Sequence, residues 1–177
     1  MKLSDKQEVD KIIRVFAQRI YDIQFQDIPN ATKNPCVDRD CRIISDYLGT
    51  EKLKVTHSTY FILKNCKMWS ESAITLYKTL KGNHADRCSS KKQGGTMFIV
   101  EHEYPLGVVK KMVQEKKFKT PEAVVTYMKK YALPVIVTVD EDERLRVQQR
   151  TANSLKEADG RYARAKIKVK RFEDWAK

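Results

Sequence analysis

The stretch that most constrains the fold is Leu133-Pro134-Val135-Ile136-Val137-Thr138-Val139, a short run dense in β-branched side chains and closed by Asp140-Glu141-Asp142-Glu143. β-Branched residues lose rotamer freedom in a helix and pack well on a pleated surface, so this run predicts a buried strand. The acidic residues after it suit the positive end of a helix, with Thr138 or Asp140 as cap, and that helix is expected to run to about Ala158. A second apolar run, Thr96-Met97-Phe98-Ile99-Val100, leads into Glu101-His102-Glu103-Tyr104-Pro105 and also reads as a strand. Most of the remaining chain is helical in its spacing.

Asp5 is placed to cap a first helix with Val9, Ile12, Ile13, Phe16 and Ile20 on one face, ending before Pro29. A second helix is expected over Val37 to Leu48, entered after Pro35 and stopped by Gly49. Leu53 to Leu63 is read as extended from its Val, Thr, Tyr and Phe content. Ser70 opens a helix through Ala73, Leu76, Tyr77 and Leu80 that Gly82 closes, and Asn83 to Gly95 reads as a basic, polar loop. Further helices follow Pro105, through Val108, Val109, Met112 and Val113, and Thr120-Pro121, through Val124, Val125 and Met128. Ala165-Lys166-Ile167-Lys168-Val169-Lys170 alternates apolar and cationic residues, the pattern of an edge strand with three lysines on one face. Few strands among many helices, in no βαβ repeat, predict an α+β fold. The natural division is a helical region over 1–82, a basic loop over 83–95 and a region over 96–177, together forming one compact unit.

With 177 residues, 41% of them hydrophobic, the chain is long enough to bury a real core. Thirty-five Lys and Arg against 23 Asp and Glu give a formal charge of +12, spread along the whole length. A folded surface of that sign attracts polyanions, nucleic acid first, and gains affinity by releasing counterions. No window is apolar enough for a membrane span and the start has no secretory signal, so a cytoplasmic protein without a membrane partner is expected. Cys36, Cys41, Cys66 and Cys88 are irregularly spaced, which suits reduced thiols; His84 and these cysteines lack the close pairs of a structural zinc site.

A carboxylate beside an imidazole at the end of a strand, followed by a second strand and an acidic helix start, resembles the ββα-metal (HNH) nucleases. In that family the first strand ends in Asp-His, then a hydrophobic residue and Pro, and the second strand leads into a helix that supplies another metal ligand. Glu101-His102-Glu103-Tyr104-Pro105 matches the first element and Val135 to Leu145 the second, so the resemblance covers about residues 96–147. It implies a small ββα-like core in which Glu101 and Asp142 hold Mg²⁺ or a similar divalent ion and His102 deprotonates water. Leu133-Pro134 stand where the family has its base-orienting Asn. The activity implied is metal-dependent endonucleolytic hydrolysis, with DNA favoured over RNA.

Other cations are candidates for the backbone of the nucleic acid. Arg161 and Arg164 could clamp a phosphate with Tyr162 stacking on a base, while Arg87, Lys91, Lys92, Lys166 and Lys168 offer charge from the loop and the last strand. The same charges equally suit a non-enzymatic nucleic-acid-binding regulator or accessory factor. A third reading is an adaptor or inhibitor that binds another protein through the N-terminal helices.

Overall fold

A computed structural model describes residues 4–53, 58–92, 95–149 and 154–172. The fold is α+β, as the sequence predicts: a small mixed sheet surrounded by helices. Helix α1 (Asp5–Ile23) buries Val9, Ile13, Ala17 and Ile20 at helical spacing. Its cap is Ser4 rather than Asp5, in a reciprocal capping box with Gln7. Helix α2 (Asn30–Thr50) is longer at both ends than expected: Pro35 lies inside it instead of before it, and it runs past Leu48 to Thr50. Gly49 does not stop α2 either. It is a contact residue: a Cβ built there would stand 2.2 Å from the Pro134 ring, so the missing side chain lets the helix lie against the sheet.

The expected extended segment at Leu53 to Leu63 is corrected by helix α3 (Thr59–Asn65), which buries Ile62 and Leu63; residues 54–57 lie outside the described ones. Strand β1 (Met68–Ser70) carries no sequence signal of its own beyond Trp69, being three residues long. Ser70 ends the strand and caps helix α4 (Glu71–Thr79) through the Ala73 N–H. The expected loop over 83–95 contains structure as well. Asn83 and Asp86 form a capping box for helix α5 (His84–Ser89), and β2 (Lys91–Lys92) pairs antiparallel with β3 (Gly95–Thr96). A short capping motif outweighed the polar composition there.

Strand β4 (Phe98–His102), helix α6 (Leu106–Glu115), helix α7 (Pro121–Tyr131), strand β5 (Pro134–Thr138) and helix α8 (Val139–Gln149) follow the sequence reading closely. Helix α8 does not extend to Ala158 as one piece: Ser154 caps a separate short helix α9 (Leu155–Ala158), and residues 150–153 lie outside the described ones. Gly160, at φ +66°, then admits helix α10 (Arg161–Arg164). Strand β6 (Val169–Arg171) is shorter than the alternating run that predicted it.

The sheet order is β4-β5-β1-β6, with β1 and β5 parallel and the outer pairs antiparallel. Phe98 and Val100 on one face join Trp69, Ile136, Tyr77 and Phe172, where three aromatic rings meet Trp69 edge-on at about 5.5 Å. Ile99, Val135 and Val137 on the other face join Leu145, Tyr162 and Ile167. A third core lies between α1, α2, α6 and α7. The sheet thus draws β1 from the segment before Gly82 and its other strands from the segment after it.

Candidate functional site

Strand alternation sends successive β4 side chains to opposite faces. Glu101 points with Ile99, and its Oε2 accepts hydrogen bonds from the His102 N–H at 3.1 Å and from Arg161 Nη2 at 3.1 Å. His102 points with Val100 toward α2, where its Nε2 lies 2.9 Å from Ser45 Oγ. Burial disfavours the charged imidazolium, and Arg42, Arg161 and Lys110 repel it further, so the His102 pKa falls to about 3 and the ring is neutral at physiological pH. Burial raises the Glu101 pKa despite the His102 N–H and Arg161, with the charge of Asp142 adding to the rise.

Asp142 is buried on the Glu101 side and pairs with Arg146 Nε at 2.8 Å. The structure therefore brings Glu101 and Asp142 to one face and leaves His102 on the other. Each of the three has a different protein partner: Arg161, Arg146 and Ser45. Among the described residues no group of three or more His, Cys, Asp and Glu side chains is placed to hold a metal ion. A Mg²⁺ shared by Glu101 and Asp142, with ligands at about 2.0–2.1 Å, would have to displace Arg161 and Arg146 from them.

Arg161 and Tyr162 are buried, so neither reaches the surface that a phosphate or base would touch. Arg161 Nε and Nη1 and the Tyr162 hydroxyl have no hydrogen-bond partner among the described residues. Arg164 folds back on the Asp159 and Glu157 carbonyls. Arg87 lies over the Tyr77 ring, 5.0 Å from its centroid, and donates to the Gly82 carbonyl. Lys91, Lys92, Lys166 and Lys168 are exposed, with Lys92 3.7 Å from Asp140. His84 donates from Nε2 to the Lys64 carbonyl and accepts from the Tyr77 hydroxyl at Nδ1. Cys41, Cys66 and Cys88 are buried thiols whose pKa burial pushes to about 12, 12 and 11.

The site that sequence reading missed lies along the outer edge of β4, whose one strand partner among the described residues is β5 on the other side. A cavity of about 450 Å³ is lined there by Arg42 and Asp46 from α2, Thr59 and Ile62 from α3, β4 itself, and Pro105, Leu106 and Gly107 at the start of α6. Arg42 is exposed and forms no ion pair among the described residues. The only sequence signal for this cavity is Pro105-Leu106-Gly107, a helix start; its joining to Arg42 depends on how α2 crosses the sheet.

These features define an α+β protein of net positive charge with a cavity beside the strand edge that β5 does not cover. The chain matches no protein-family model, no curated protein and no solved structure. Among the described residues no helix is long and apolar enough to cross a membrane.

Proposed function

We propose that the protein binds nucleic acid through the phosphate backbone. The observation that carries this reading is how the charges are sorted by depth. Asp40, Asp46, Glu141 and Asp142 are buried, whereas no lysine among the described residues is buried and Arg161 is the one buried cation there. The outer surface is thereby more positive than the formal +12 implies. Lysines on flexible stems meet phosphates as point charges without demanding a base sequence. The test is fluorescence anisotropy with labelled duplex DNA and RNA over a range of KCl concentrations. Binding whose log affinity falls linearly with log salt, and which EDTA leaves unchanged, supports the reading. No affinity at low salt would overturn it and favour the protein-binding adaptor.

Phosphodiester hydrolysis is the second reading, favoured by one observation: β4 and β5 are antiparallel neighbours and α8 follows β5, the order expected of a ββα core. It calls for Glu101 and Asp142 to exchange their arginine partners for Mg²⁺ and for His102 to act from the opposite face. Nicking of supercoiled plasmid with Mg²⁺ or Mn²⁺, lost in His102→Ala, is the result this reading needs. Intact plasmid, or equal nicking by that variant, removes it.

A further inference from the structure

The cavity beside β4 combines features that converge on an anion. Helix α6 begins after Pro105, which supplies no side-chain cap. The Val108 and Val109 N–H groups bond back to the Pro105 carbonyl, and the Leu106 and Gly107 N–H groups at the cavity rim have no acceptor among the described residues. Such amides, at the positive end of a ten-residue helix, favour a negative ligand. Arg42 lines the same cavity and forms no ion pair among the described residues, and the charge of Lys110, one turn into α6, acts on His102 in the lining.

His102 is the second, independent pointer. It is a cavity-lining residue, nine-tenths buried, and Ser45 satisfies only its Nε2. Its Nδ1 has no protein partner among the described residues, and a neutral ring that accepts from the Ser45 hydroxyl carries its proton on Nδ1, as a donor. Two carboxylates also stand in the lining, and neither is without a partner. Glu101 holds Arg161 and the His102 N–H, and Asp46 is buried with a partner of its own. The volume, about 450 Å³, lies within the range of small-ligand sites.

We infer that this cavity seats one phosphate ester, with Arg42, the Leu106 and Gly107 amides and His102 Nδ1 around its oxygens, and that in the working protein the ester belongs to the bound nucleic-acid chain. The inference rests on the proposed function, which supplies the chain; the cavity supplies a fixed point at which a sliding backbone is held. Apolar Ile62 and Leu106 beside it give a sugar or base a surface to lie on.

The experiment uses the full chain with two probes, a fluorescein-labelled 12-nucleotide single strand and AMP, the latter followed by calorimetry. Arg42→Ala removes the guanidinium. Gly107→Asp places a carboxylate at the helix start, where a Cβ meets nothing within 4 Å and an acidic residue favours the helix, so its melting temperature should match the wild type. Lys168→Ala, at an exposed lysine just before β6, controls for surface charge. The expected result is that Arg42→Ala and Gly107→Asp each weaken oligonucleotide binding about tenfold or more, while Lys168→Ala lowers it only a few-fold. Oligonucleotide binding indifferent to both cavity variants overturns the inference and leaves the proposed function standing. AMP binding lost in both variants, without oligonucleotide affinity at any salt, keeps the phosphate site and overturns the nucleic-acid reading. Binding of neither probe overturns both.

Discussion

His102 shows how much a single buried side chain can set. Its imidazole is neutral in the folded chain because the sheet, α2 and three neighbouring cations all oppose protonation. In the unfolded chain the same ring titrates near its ordinary value of about 6.5. The folded pKa is depressed, so His102 takes up its proton in the unfolded state first, and the protein loses stability as pH falls from about 6.5 toward about 3. The slope approaches ~1.4 kcal/mol per pH unit within that window. Urea unfolding at pH 7.5, 6 and 5 should show this decline in the wild type and a flatter profile in His102→Gln. Identical profiles would mean that the ring is solvated. Glu101 and Asp40, whose pKa values burial raises, act in the opposite direction within an overlapping pH range, which is why the comparison is made between variants.

At the scale of elements, Glu141 ties two helix starts together. It occupies the third position of α8, and Thr138 and Glu141 bond reciprocally as a capping box: the Glu141 N–H donates to Thr138 Oγ1 at 3.2 Å, and the Thr138 N–H donates to Glu141 Oε2 at 3.0 Å. The Ser70 hydroxyl donates to that same oxygen while accepting from the Ala73 N–H. One carboxylate thereby joins the ends of two parallel strands. Ser70→Ala should cost about 1–3 kcal/mol, since it removes a cap and leaves a buried carboxylate short of a donor; a loss under about 0.5 kcal/mol by chemical denaturation would show that the tie contributes nothing. Thr138 as cap was legible from sequence because capping boxes are local. The role of Ser70 toward Glu141 was not, since residues 71 positions apart meet only through the pairing of β1 with β5. The same difference separates the strands: β5 announces itself by β-branched density, whereas β1 is a strand because β5 and β6 flank it. Of the candidate site, Glu101 and His102 were rightly set at the end of a strand. What each faces was set by alternation across a sheet whose neighbours the sequence leaves open.

For the molecule as a whole, net charge was readable from composition and its sorting by depth was not. Burial of Asp40, Asp46, Glu141 and Asp142 depends on partners distant in sequence or on helix starts that exist only in the fold. The strand order carries a consequence for how the chain is made. β1, near residue 69, sits between β5, near residue 136, and β6, near residue 170, so its two edges are filled only by segments synthesised much later. During translation Trp69 and its strand must wait for residues near 136 to fill one edge and for residues near 170 to fill the other. Long-range closure of this kind is slow and favours a single late, cooperative step. A chain ending at Lys166, which retains every described helix but lacks β6, should therefore show helical circular dichroism without a cooperative thermal transition; a sharp transition like that of the full chain would mean that the sheet can close without its last strand.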